Sequence, residues 1–230
     1  TIWAQQSLEA RQGLAREAKK LGSVIFEEGI DFRAHIRDDG RFDFIWQGEQ
    51  IEMPAPSLQG VHQVQNASLA LAAMKIATPD AFTPAAFNGI SQAKWPGRIQ
   101  ELQTGKLKNV LGSGHPLWLD GAHNAHGAAA LVTTLKSLSQ QKWIVIFGAL
   151  NTRPPEAFFT QIKPVASTIH TLEISGQPAA LSAQELAAAA MSANIPAEPA
   201  TCLAEALARI KQTALPNTPV IICGSLYLAG

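Results

Sequence analysis

From residue 99 onward, short apolar runs alternate with longer stretches of helical pattern, and this alternation constrains the fold more than any other feature of the chain. The apolar runs fall at 99–103, 117–120, 143–147, 168–172 and 219–223, and helices fit 125–138, 155–162, 182–192 and 203–214. Such alternation predicts an α/β fold, a mainly parallel sheet with helices on both faces. In an open sheet of that kind, ligands gather in the crevice beyond the carboxyl ends of the strands. The run Leu117-Trp-Leu-Asp-Gly-Ala-His-Asn124 delivers an acid, a glycine, a histidine and an asparagine to such an end, just before a helix. Two readings of this turn are open. Asp120 and Asn124 are favoured helix N-caps, or the cluster touches a small molecule.

The pattern before residue 94 differs. Leu8, Leu14, Ala18 and Leu21 fall near one face of an amphipathic helix at 7–21, and Gly22 is a natural stop. A short strand is expected at 23–26. Residues 32–36 and 42–46 alternate apolar and polar around Asp38-Asp39-Gly40, a hairpin signal, and a third strand at 50–53 completes an antiparallel meander. A loop at 54–60 leads into a helix at 62–76. Pro79, Pro84 and Trp95-Pro96-Gly97 then punctuate the chain, with a short helix at 84–93. The domain boundary is placed here, giving domains 1–93 and 94–230. The polar, Gly-containing stretch 106–116 is expected to be a hairpin arm or a loop. The chain begins at Thr1 and stops at Gly230 directly after an apolar strand, with no closing helix, and is read as a piece of a longer protein.

Composition removes several classes of function. Basic and acidic residues balance at 18 each, and no basic block stands out, so a nucleic-acid or anionic-membrane footprint is not expected. No apolar run approaches the ~20 residues that span a bilayer, and the polar, alternating start at Thr1 is not expected to be a secretory leader. Cys202 and Cys223 form no CxxC pair, which suits a reducing, cytoplasmic compartment with both thiols acting as small core hydrophobes. Neither a GxxxxGK[ST] phosphate loop nor a GxGxxG fingerprint occurs.

Four sets of residues carry chemistry. Asn66, in the first turns of the helix at 62–76, has an amide that both donates and accepts, as an adenine edge demands; the plainer reading is a polar residue bonded to a nearby loop. Arg98, just after a Pro-Gly break, presents a planar fork suited to phosphate oxygens, or to an ordinary ion pair. Asp120 can accept from ribose hydroxyls and His123 can stack on or bond a nucleotide. His123 and His126 are spaced i, i+3, but two histidines without a third ligand do not make a metal site. Finally, Gly224-Ser225 follows the last strand, where Ser225 is either a ligand donor or a helix N-cap; no GxSxG elbow marks it as a nucleophile.

In order, Gly60-Val-His-Gln-Val-Gln-Asn66, Trp95-Pro-Gly-Arg98, Leu119-Asp-Gly-Ala-His-Asn124, Phe147-Gly-Ala-Leu150 and Gly224-Ser-Leu-Tyr227 resemble the C-terminal half of the folylpolyglutamate synthase/dihydrofolate synthase branch of the Mur ligase superfamily. The resemblance covers nearly the whole chain. It implies that residues 1–93 are the tail of a P-loop ATPase domain with its linker, and that 94–230 are a smaller Rossmann-like domain. It further implies ATP-dependent addition of L-glutamate to dihydropteroate or folate through an acyl phosphate. The positions matching Asn66, Arg98, Asp120 and His123 then hold the nucleotide: Asn66 on adenine, Arg98 on the phosphates and in catalysis, Asp120 and His123 from the second domain, with Asn66, Arg98 and Asp120 expected on one cleft. The family's phosphate loop, carbamylated lysine and Mg2+ ligands are expected upstream of Thr1, so the segment alone is expected to be inactive and to carry no metal ligands of its own. A monomer is expected, binding small molecules only. The runner-up readings are a peptidoglycan-precursor Mur ligase and a non-catalytic nucleotide-binding module. Two positions depart from the family pattern: Ala125 replaces a common proline, and Asn151-Thr-Arg153 replaces an acidic segment, which puts a catalytic role for that loop in doubt.

Overall fold

The structure, a computed structural model, describes residues 1–229. Its contacts divide the chain into two compact units, Thr1–Lys94 and Trp95–Gly230. In the first unit, strands β1 (Ile2–Trp3) and β2 (Phe26–Glu27) pair in parallel on either side of helix α1 (Leu8–Lys20), which Ser7 caps through its side chain. The hairpin and meander form as the alternation predicts: β3 (Phe32–Ile36), β4 (Phe42–Trp46) and β5 (Glu49–Met53) make an antiparallel sheet in the order β3-β4-β5. Helix α2 (His62–Ala77) packs Val64, Leu71 and Ala72 onto Phe32, Phe42, Phe44, Trp46 and Met53. A 3-10 turn (Pro79–Ala81) and α3 (Pro84–Gln92) close this core through Phe82 and Phe87, whose rings meet edge to face at 4.8 Å. The face predicted for α1 is only partly buried. Ala18 packs inward, but Leu8, Leu14 and Leu21 remain exposed, because the small β1-β2 pair offers little surface to cover a four-turn helix.

The second unit is the α/β sheet that the alternation predicts. It contains β6 (Gln100–Glu101), β7 (Leu117–Leu119), β8 (Trp143–Phe147), β9 (Ala166–Thr171), β10 (Ala197–Pro199) and β11 (Val220–Cys223), in the order β10-β9-β8-β11-β7-β6. All pairings are parallel except the edge pair β6-β7. Successive side chains on a strand point to opposite faces, and both faces here are apolar. Trp143, Val145 and Phe147 pack under α5 (Ala125–Leu138), α6 (Glu156–Ile162) and α7 (Ala183–Ser192). Ile144 and Ile146 pack on the other side, under α4 (Lys106–Leu111) and α8 (Leu203–Thr213).

Two expectations in this unit are corrected. Residues 106–111 form α4 rather than a hairpin arm or loop: Leu107, Val110 and Leu111 are spaced to meet one face of the sheet, and the flanking Gly105 and Gly112 supply the breaks. Only Cys223 acts as a core residue; burial, and then the nearby Asp120 charge, push its thiol well above the ordinary range, whereas Cys202 is exposed at the start of α8. A short helix α9 (Leu226–Ala229) follows β11, as the capping reading of Ser225 requires and against the expectation of no closing helix. No helix among the described residues is long and apolar enough to cross a membrane.

His170, on β9, is 4% exposed. Burial pushes its imidazole below the usual value of 6.5, with Glu198 acting in the opposite direction and Arg209 in the same one. A depressed folded-state value means that the unfolded chain binds more protons once the pH falls below about 6.5, so stability contributed by neutral His170 is present above that pH and is lost as acid is added. Urea unfolding of the parent and of His170→Gln, compared from about pH 8 to pH 5, should show the parent losing more stability on the acid side. Parallel losses would contradict a buried neutral imidazole.

Candidate functional site

The carboxyl ends of β7, β8 and β11 form the candidate functional end of the second unit. The crossovers explain why. The chain leaves β7 and β8 toward the face that carries α5 and α6, but leaves β11 toward the other face, where Leu228 packs beside α4 and α8. β11 lies between β7 and β8, so neighbouring connections diverge and leave a crevice. Gly224 makes the exit possible. Its φ is +110°, and a Cβ there would press on Phe147 and on the Gly148 carbonyl.

Asp120 organises this end. It is 6% exposed, and its two carboxylate oxygens accept backbone N–H groups from Ala122 at 2.7 Å and from Ile99 at 2.9 Å. The first bond shapes the turn after β7. The second ties that turn to the loop carrying Arg98, and Gly121 N–H adds a bond to the Gly97 carbonyl at 2.8 Å. Ile99 is held at φ +46° while 3% exposed. A β-branched residue in that region costs about 1–3 kcal/mol and persists only where its surroundings over-determine it. Here the surroundings are the Asp120 bond and the core around α5, which Ile99 joins. Arg98 is thus carried on a strained, doubly anchored loop. A Cβ at Gly121 would stand 2.9 Å from Arg98 Nη1 and run into Leu226, so only glycine lets the guanidinium lie across this turn.

The structure brings together Arg98, Asp120 and His123. His123 is exposed, with Nδ1 2.9 Å from the Gly121 carbonyl oxygen. A carbonyl oxygen only accepts, so that contact places a proton on Nδ1. Asn124 takes the capping reading: its side chain accepts from Gly127 N–H at 2.8 Å at the start of α5. Ser225 does likewise, 5% exposed and accepting from Tyr227 N–H at 3.1 Å. Beside them lies a cavity of about 250 Å³ whose walls include His123, Phe147, Arg153, Phe158, Ser225 and Tyr227. Arg153 and Tyr227 stand in runs noted in the sequence, Asn151-Thr-Arg153 and Gly224-Ser-Leu-Tyr227, but neither was given a role there; the structure places both on the wall of this cavity.

Asn66 belongs to the first unit. It is exposed on α2, donates from Nδ2 to Gln63 Oε1 at 3.1 Å, and borders a mostly apolar groove of about 350 Å³ with Leu71, Met74 and Ile90. Two amides, of Asn66 and Gln63, join this otherwise mostly apolar lining. Among the described residues no group of three or more His, Cys, Asp or Glu is arranged to hold a metal ion.

If Asp120 is the anchor inferred above, Asp120→Ala strands two buried N–H groups, and unfolding of the second unit should show a loss of about 2–5 kcal/mol. Asp120→Asn, which keeps one acceptor, should lose less. Equal stability of all three proteins by urea denaturation would refute the anchor.

The family model for the Mur ligase glutamate ligase domain matches residues 107–226. The folylpolyglutamate synthase of Lacticaseibacillus casei is 29% identical over 193 residues, covering 82% of this chain and 42% of that protein. The dihydrofolate synthase/folylpolyglutamate synthase of Bacillus subtilis (strain 168) is 30% identical over 135 residues, covering 56% of this chain and 29% of that protein. Among solved structures, the Mycobacterium tuberculosis folylpolyglutamate synthase complexed with ADP superposes with a TM-score of 0.82 at 23% identity, over 100% of this chain and 53% of that one. This chain therefore spans about half the length, or less, of the relatives it matches. With its fold, its match over residues 107–226 and these relatives in agreement, the chain belongs to the Mur ligase family, through its glutamate ligase domain.

Proposed function

We propose that this chain is the nucleotide- and amino-acid-handling portion of an ATP-dependent ligase that adds L-glutamate to dihydropteroate or folate. The observation that carries the proposal is Arg98, held on a strained loop by Asp120 at the carboxyl end of the sheet. Strain kept at such a place is characteristic of functional positions. The named relatives are folate ligases, which favours this substrate class over a peptidoglycan precursor, and the solved relative carries ADP.

In this reading Asn66 recognises the adenine edge: its amide has an acceptor to spare for the exocyclic amine and an N–H for a ring nitrogen. Arg98 takes phosphate oxygens through its planar fork. ATP, as substrate, supplies the phosphoryl group that activates the acceptor carboxylate, and the glutamate amine displaces phosphate from the resulting acyl phosphate. A fixed guanidinium near the transferred group stabilises the charge that spreads over its oxygens, and needs no reorganisation at the moment of reaction. Asp120 acts on the reaction through Arg98, as a positioning residue. His123, exposed and held through Nδ1 to the Gly121 carbonyl, offers its ring to the nucleotide. The cavity beside it, with Arg153 as its cation, suits the carboxylates of glutamate. Divalent-metal ligands, like the phosphate loop, are assigned to the part of the ligase outside this chain.

The proposal is tested in the ligase that contains this segment, by glutamate addition at saturating ATP. Arg98→Ala should lower kcat by about 10²–10³ with the circular dichroism spectrum unchanged, and Arg98→Lys should recover only part of the loss. Near-parental turnover of Arg98→Ala would overturn the phosphate role. Asn66→Ala should raise KM for ATP about tenfold or more with little change in kcat, and should narrow the preference for ATP over GTP. An unchanged preference would remove Asn66 from adenine recognition.

A further inference from the structure

The side chain of Asn66 is tied to a second amide. Its Nδ2 donates to Oε1 of Gln63 at 3.1 Å. The two residues stand three apart on α2, where side chains are neighbours. Their surroundings differ. Asn66 is exposed, whereas Gln63 is 5% exposed, and both line the groove beside Leu71, Met74 and Ile90. A carboxamide carries an acceptor at one end and two donors at the other. Nothing in the chemistry of an exposed amide alone fixes which end faces out.

Gln63 supplies that direction, and is itself held. Having given its oxygen to Asn66, it has only its amine for the ring of His62, half-buried at the start of α2, whose Nε2 lies 2.9 Å from Gln63 Nε2. An amine facing a ring nitrogen requires that nitrogen to accept. The three side chains therefore form one directed chain, in which His62 accepts from Gln63 and Gln63 accepts from Asn66. Turning Asn66 over alone would set oxygen against oxygen. Turning Gln63 over alone would set N–H against N–H, at a buried position where a lost partner is costly.

The consequence lies at the groove. With one Nδ2 hydrogen committed to Gln63, Asn66 has Oδ1 and the second hydrogen to offer a ligand. At its six position adenine carries an amine, a donor, and guanine a carbonyl, an acceptor. An outward amide oxygen accepts from the first and repels the second. An amide free to turn would take either.

We propose that Gln63 is a positioning residue that sets base selectivity: held by His62, it keeps the Asn66 oxygen turned outward, so that the site takes ATP and rejects GTP. This inference rests on the proposed adenine contact of Asn66. Gln63 needs no contact of its own with the nucleotide.

The test measures kcat/KM for ATP and for GTP in glutamate addition by the ligase that contains this chain. Gln63→Met, close to the parent in size but without an amide, should lower the ATP-to-GTP ratio about fivefold, the equivalent of one neutral hydrogen bond. The loss should fall on KM for ATP rather than on kcat. Gln63→Glu, whose carboxylate still accepts from Asn66, should keep most of the ratio, a separation that a packing role does not produce. Gln63→Met added to Asn66→Ala should change the ratio no further, because Gln63 acts through Asn66. If Gln63→Met does not fold, His62→Ala, which releases the Gln63 amide from a half-buried position, stands in and should lower the ratio in the same direction. A parental ratio in Gln63→Met or its stand-in, equal losses in Gln63→Met and Gln63→Glu, or a further fall in the double variant overturns the proposal. A ratio lowered by Asn66→Ala but untouched by Gln63→Met leaves Asn66 on adenine and removes Gln63, whereas a ratio that Asn66→Ala leaves unchanged removes both.

Discussion

One carboxylate sets the arrangement of the functional end. Asp120 emerges from the last buried position of β7 and spends its two oxygens on Ile99 N–H and Ala122 N–H. Charge-assisted bonds of this kind contribute about 1.5–3 kcal/mol each, enough to offset the strain of Ile99 at φ +46°. Without that bond, the loop after Pro96-Gly97 has no reason to keep a β-branched residue in a left-handed conformation. Arg98 would then sample many positions instead of lying across Gly121. The sheet supplies the place, and Asp120 supplies the fixed direction.

This changes how the Leu119-Asp-Gly-Ala-His-Asn124 run is understood. Capping and ligand contact, the two readings open from its composition, divide among its residues. Asn124 caps α5, Asp120 braces the neighbouring loop, Gly121 leaves room for a guanidinium, and His123 alone turns an unburied ring outward. A single short run therefore caps a helix, braces the neighbouring loop and exposes an imidazole, and its bracing fixes the backbone around Arg98.

The parts of the fold that were legible in the sequence are those governed by local periodicity. Residues 32–36 and 42–46 alternate strictly and pair as read, and 143–147 and 125–138 carry apolar patterns long enough to fix their type. The strands Ile2–Trp3 and Ala197–Pro199 were not legible, because two or three residues carry no period and pair only with a distant partner. Helix α4 was hidden by its brevity and flanking glycines, although Leu107, Val110 and Leu111 are helically spaced. In the site, Arg98 was visible through the Pro-Gly break before it. The conformation of Ile99 was not, since isoleucine never announces a positive φ; it is imposed by a bond from a residue twenty-one positions away. Arg153 and Tyr227 lay in runs noted in the sequence, but their meeting in one cavity was not legible, because the order of the strands sets it.

In the proposed function, the loop fixed by Asp120 presents Arg98 to nucleotide phosphates and Asn66 reads the base. A crystal structure of the ligase containing this chain, with ADP bound, tests it most directly. The account predicts the Arg98 guanidinium within hydrogen-bond reach of phosphate oxygens and the Asn66 amide at the adenine edge, with the Ile99–Asp120 bond intact. ADP bound in good density with neither side chain touching it would contradict the account.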